Sequence, residues 1–119
     1  MNFSKKSTGT GTYVNDEVSL EIKNDSIDNS GLVLLISNKT NTDLTYDSTY
    51  YIEQKKNGVW YSSDNEQYFN ALAILLESKA TNEFEVDFET TLLQGEYRII
   101  KSINVSTGSI PLMVDFKIS

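Results

Sequence analysis

From Val18 onward, apolar and polar residues alternate with a period of two in run after run, the pattern of strands that bury one face. Val18, Leu20 and Ile22 interleave with Ser19, Glu21 and Lys23. Residues 24–31 (Asn-Asp-Ser-Ile-Asp-Asn-Ser-Gly) form a turn cluster, because Asn, Asp and Ser bond their own backbone and Gly accepts positive φ. In the next run Leu32, Leu34 and Ile36 face the core. This turns Val33 and Leu35 outward, where an antiparallel sheet normally carries polar groups. The polar stretch 38–47 closes that strand, and Tyr50 to Gln54 opens another with Tyr50 and Ile52 on one face. Asn57-Gly58 is the preferred pair for a type I′ turn, so Val59-Trp60-Tyr61 is the return strand of a hairpin. Residues 68–77 fit two patterns: Phe69, Leu72, Leu75 and Leu76 at helical spacing, or Leu72, Ile74 and Leu76 as a strand. We expect a loop leading into a strand. Phe84, Val86 and Phe88 then alternate with Glu83, Glu85, Asp87 and Glu89. Tyr97 and Ile99 alternate with Arg98 and Ile100, and Leu112, Val114, Phe116 and Ile118 alternate with Met113, Asp115 and Lys117. Pro111, the single proline, is expected at a strand start, where no ladder bond is lost. The prediction is an all-β antiparallel sandwich of about seven strands, with residues 1–15 as a flexible polar leader and 16–119 as one domain.

Composition narrows the chemistry. The 119 residues include no cysteine and no histidine, which removes disulfides, thiolate metal sites, the thiol nucleophile, the usual general base and the usual zinc ligand. Serines are frequent, but no Ser-x-x-Lys sequence offers one an activating base. Glu83, Glu85, Asp87 and Glu89 share the outward face of one strand and read as a solvated surface, not a glycosidase pair. Asp25, Asp28, Asp43 and Asp47 fall in turns without EF-hand spacing, so turn chemistry accounts for them and no calcium site is expected. No enzyme, cofactor or metal is therefore predicted. The net charge of −7 disfavours nucleic acid and anionic membranes as partners. Apolar runs such as Leu32 to Ile36 are too short to cross a bilayer. The leader reads as the spacer behind an export or lipoprotein segment, or as an ordinary disordered start.

Four features are candidates for recognition or topology. Gly95 and Tyr97 form the pattern of a tyrosine corner, in which a Tyr near the start of a strand bonds back to the preceding corner and a Gly two residues earlier lets the chain turn. Trp60 reads as a stacking platform for a ligand, although its place opposite Tyr50 and Ile52 predicts a core residue. Tyr46, Tyr50, Tyr51, Tyr61 and Tyr68 cluster in the middle third, as a binding face or as cross-strand support. Val33, Leu35 and Ile100 are outward aliphatics, a partner surface or a dimer sheet unless the N-terminal segment or residues 68–77 cover them.

The chain resembles bacterial immunoglobulin-like domains found in envelope proteins and lipoproteins of Gram-positive bacteria. The resemblance runs through Val18-Ser19-Leu20-Glu21-Ile22, Gly31 to Asn38, Tyr51 to Tyr61, Phe84 to Phe88 and Gly95-Glu96-Tyr97-Arg98-Ile99-Ile100-Lys101. The family's Leu-x-Pro-Gly turn is replaced by Leu76-Glu77-Ser78-Lys79-Ala80. The resemblance implies an immunoglobulin-like sandwich acting as a non-catalytic binding module of an exported, envelope-attached protein. Its partner would be another protein, or a second copy in a homodimer. The family's motifs mark scaffold positions and not a site; the candidate binding surface, Val33, Leu35, Tyr51, Trp60 and Tyr61, is read from the residues themselves. A second resemblance, carried by Val59-Trp60-Tyr61-Ser62, Phe69-Asn70-Ala71 and Gly95-Glu96-Tyr97, is to the small intracellular proteinase inhibitors of bacilli. It implies that the loop from Ser62 to Tyr68 docks in a protease cleft.

Overall fold

The computed structural model describes residues 2–9, 11–63 and 72–119. They form ten strands: β1 (Phe3–Lys6), β2 (Val18–Ile22), β3 (Gly31–Asn38), β4 (Leu44–Tyr46), β5 (Tyr51–Lys56), β6 (Val59–Ser63), β7 (Ile74–Leu76), β8 (Thr81–Asp87), β9 (Gly95–Val105) and β10 (Gly108–Ile118). Every pairing between them is antiparallel. One layer is a seven-stranded sheet in the order β1-β6-β5-β9-β4-β7 with β10 on the other side of β9; the second is β2-β3-β8.

The inward residues of the alternating runs meet between the layers. Val18, Leu34, Ile36, Leu76, Phe88, Ile99 and Ile103 are fully buried, and the Phe116 ring stacks on Phe88 and Tyr97 at centroid distances of 5.6 and 5.5 Å. Tyr50 ties the layers polarly, its hydroxyl donating to the carbonyl of Asp87 at 2.6 Å. Asn57 and Gly58 both take positive φ, 51° and 78°, as a type I′ hairpin requires. In the turn after β7, Ala80 N–H donates to Glu77 O at 3.0 Å and Lys79 sits at φ 60°. Lysine thus occupies the left-handed position that a glycine fills in a Leu-x-Pro-Gly turn.

The structure corrects the predicted strand layout in three places. Part of the expected flexible leader is β1: Phe3 is 4% exposed, its ring stands edge-on to Tyr97 at 5.7 Å, and Lys56 Nζ donates to its carbonyl at 2.6 Å. One buried aromatic among polar residues shows no periodicity, so only the groove beside β6 reveals it. The stretch 38–47, read as polar, contains β4, whose Leu44 and Tyr46 are buried. Pro111 lies inside β10, opposite Ser102, and not at its start. Its carbonyl accepts from Thr12 N–H at 2.9 Å, so the polar edge of this residue points away from β9 and the missing N–H costs no ladder bond. The strand expected within residues 68–77 is β7. The helical alternative there, with Phe69, and the inhibitor-like loop to Tyr68 rest largely on residues 64–71, which lie outside the described residues.

Candidate functional site

Register lays the outward side chains of β6, β5, β9 and β10 in rows across the large sheet. Trp60, Lys55, Glu96 and Lys117 form one row. Ser62, Glu53, Arg98 and Asp115 form the next, and Tyr51, Ile100 and Met113 a third. In the middle row Arg98 Nε and Nη2 lie 2.7 and 2.6 Å from Glu53 Oε1, and the Ser62 hydroxyl donates to Glu53 Oε2 at 3.0 Å. These side chains are only 6% and 5% exposed, although they stand on an outer face.

The N-terminal segment causes this burial. Ser7 N–H donates to Trp60 O at 3.0 Å; farther along, Thr12 N–H donates to Pro111 O and Met113 N–H to Thr12 O, both at 2.9 Å. The segment therefore crosses the sheet from β6 to β10 as a strap. Tyr13 donates its hydroxyl to Asp115 Oδ1 at 2.9 Å, and Arg98 reaches the Tyr13 and Ser7 hydroxyls at 3.4 Å. Burial opposes the charge on Arg98, but hydrogen bonds to Tyr13 and Glu53 outweigh it and hold the guanidinium pKa above its ordinary value. Gly11 lies so close to Met113 that a Cβ there would stand 2.8 Å from its Cγ and Sδ. The strap thus covers Met113, while Ile100 beside it stays half-buried.

Trp60 is half-buried and lies outside the core, contrary to the expectation from its position opposite Tyr50 and Ile52. Strand alternation explains this: Trp60 pairs with Lys55 and shares the outward face, whereas Ile52 faces inward. The Arg98 guanidinium carbon is 4.3 Å from the indole centroid, and Lys55 Nζ is 5.9 Å away. Beside the indole, over the end of β9 and β10, is a cavity of about 300 Å³.

The outer face of the small sheet is different. Val33 stands opposite Glu85, and Leu35 lies between Glu21 and Glu83. Both aliphatics are half-buried, and the side chains of the 2.6 Å ion pair of Lys23 with Glu83 are about half exposed. A shallow cavity of about 450 Å³ next to Val33 is bordered by Asp28, Glu85 and Asp87. Asp28 Oδ1 accepts from the Ser30 hydroxyl and the N–H groups of Ser30 and Gly31, which lowers its pKa. Asp47 and Asp43 accept from Thr49 N–H and Ser78 N–H. Among the described residues no three acidic side chains gather as a metal site.

The residues singled out from sequence are therefore not one surface. Val33 and Leu35 lie on one sheet, and Tyr51 and Trp60 on the outer face of the other. Tyr61 turns inward to pack on the core, with Lys56 Nζ 5.5 Å from its ring. The tyrosine cluster divides likewise: Tyr46 and Tyr50 are interior, Tyr51 is exposed, and Tyr68 lies outside the described residues. Tyr97 donates to the Leu93 carbonyl at 2.6 Å, and burial raises its pKa. Gly95 opens β9 with no positive φ. A Cβ there would meet Gln54 Nε2 at 3.1 Å, so close approach is what that position requires.

Sequence reasoning missed Lys101. It continues the inward set of Tyr97 and Ile99 and is fully buried, its Nζ donating to the carbonyls of Asp47 and Thr49 at 2.5 and 2.7 Å. The rings of Phe84 and Tyr46 lie 4.8 and 5.0 Å from it. Desolvation lowers its pKa to about 8, against a smaller opposing effect of Asp47. The inward register of β9, two residues beyond Ile99, was the available signal.

A family model described as a bacterial Ig-like domain matches residues 14–117. No curated protein matches the chain.

Proposed function

Because the chain belongs to the bacterial Ig-like domain family, we propose that it is a non-catalytic interaction module of an exported, cell-envelope-associated protein, with a protein partner docking on the outer face of the small sheet. The observation that carries the docking surface is the pair Val33 and Leu35, two outward, half-buried aliphatics centred between rows of charge. Apolar area framed by solvated charge is how a docking patch gains affinity at its centre and selectivity at its rim. The interior is not part of this role: Lys101, the one buried amine among the described residues, is held by backbone carbonyls and aromatic rings and does not face solvent.

The test has two arms. Fractionation of the producing cell is expected to find the protein with the envelope, and recovery from the cytosol alone would refute the export reading. The double variant Val33→Thr/Leu35→Thr is expected to keep the far-ultraviolet spectrum while losing its envelope partner, or its own dimer, in cross-linking. Retention of the same cross-linked species by the variant would remove this face from consideration.

A further inference from the structure

We propose that the cavity beside Trp60 binds a neutral pyranose ring, as one unit of a glycan chain. This goes beyond the docking reading: it concerns the other sheet and leaves Val33 and Leu35 untouched. The argument starts from the indole. Trp60 is fixed by backbone at both edges of its strand, through its pairing with Lys55 and through the Ser7 N–H on its carbonyl. The Arg98 guanidinium at 4.3 Å is itself locked by Glu53. An aromatic wall held this way is preorganised, so a ligand stacking on it immobilises little.

The rim then selects the ligand. Lys55 and Lys117 face Glu96 and Asp115, two amines and two carboxylates, so the lining is formally neutral in a chain of net charge −7. A ligand of either charge finds as many like as opposite groups there. A hydroxyl, which both donates and accepts, can pair with an amine or a carboxylate alike. Lys117 Nζ and Glu96 Oε1 are 4.0 Å apart and largely exposed, a pair loose enough to be bridged by a ligand oxygen. About 300 Å³ is the lower end of small-ligand pockets, room for a single ring with neighbours extending into solvent. A ring with one apolar face and a rim of hydroxyls matches an indole bordered by alternating donors and acceptors.

Trp60 is the only tryptophan, so its emission reports on the cavity directly. Titration of the full chain with cellotetraose, maltotetraose and chitotetraose is expected to shift that emission with at least one of them, saturating at about 1 mM or below. The double variant Glu96→Gln/Lys117→Met, at two exposed positions, is expected to weaken the same titration about tenfold with an unchanged melting temperature. No shift with any of the three at about 10 mM overturns the proposal. So does an unchanged titration in the double variant, or tighter binding of a hexose phosphate than of the neutral sugars. None of these outcomes bears on the Val33 and Leu35 face, whose own variant tests it.

Discussion

The outer faces of the two sheets start from the same alternation of apolar and polar positions and reach opposite ends. On the small sheet the outward charges stay solvated, as in the half-exposed Lys23–Glu83 pair, and two aliphatics stand half-buried between them. On the large sheet the N-terminal segment, through Ser7, Gly11, Thr12 and Tyr13, closes over the middle row, and an ion pair of the same type, Arg98 with Glu53, is buried. The difference teaches that the environment of a surface charge in this domain is set by what the N-terminal segment covers, not by the strand that carries the charge. A bare face is free to exchange partners, whereas a covered one is rigid and presents its aromatic, Trp60, in a fixed pose.

The sharpest way to break the comparison is to delete one acid from each face. Glu53→Ala leaves a buried guanidinium without its counter-charge and is expected to cost about 3–5 kcal/mol in urea unfolding. Glu83→Ala breaks an exposed pair and is expected to cost at most about 1 kcal/mol. Equal losses would show that the strap does not bury its pair in solution.

Adding a methyl group distinguishes the faces next. At Gly31 a Cβ would meet the Val86 carbonyl oxygen at 2.5 Å, a backbone atom that cannot swing aside, so Gly31→Ala is expected to cost about 1–3 kcal/mol. At Gly11 the obstruction is the flexible end of Met113, so Gly11→Ala is expected to cost under about 1 kcal/mol and to loosen the strap. Faster amide exchange at Thr12 and Met113 in that variant would register the loosening.

The last contrast is pH-dependent and sets buried Lys101 against solvated Lys23. Between a folded pKa of about 8 and the ordinary 10.5, the unfolded chain keeps a proton on Lys101 that the folded chain has released. Stability contributed by this group is therefore present above 10.5 and lost as pH falls through about 8. Unfolding free energy is expected to rise by roughly 1 kcal/mol from pH 8 to pH 9 and to lose that rise in Lys101→Met. Above pH 10 the trend reverses, because burial raises the pKa of Tyr50 and Tyr97 and their unfolded forms ionise first. A flat profile from pH 8 to 9 would place the Lys101 amine in contact with water.

Long strands with one buried face were legible because a two-residue period states which side is wet. That holds for β2, β3, β8 and the first half of β9, and Asn57-Gly58 announced its own turn. Elements of three or four residues were not legible. In β4 only Leu44 and Tyr46 carry the signal, and in β1 only Phe3, so nothing repeats. Candidate surface residues were legible as exceptions to the alternation, Val33 and Leu35 above all. Their grouping was not, because alternation fixes a side chain's face within its own strand and says nothing of which sheet that strand joins.

The sequence by itself determined the all-β class, the faces of the long strands, the hairpin turn and the absence of cysteine and histidine chemistry, since each follows from local geometry or residue type. Only the tertiary structure decided that Phe3 belongs to the core, that the N-terminal segment buries Arg98 with Glu53, that Lys101 sits among aromatic rings, and that Trp60 borders a cavity. Each of these depends on residues tens of positions apart meeting across the sheets, and the free energy of such meetings is a property of the folded packing and not of any single stretch of chain.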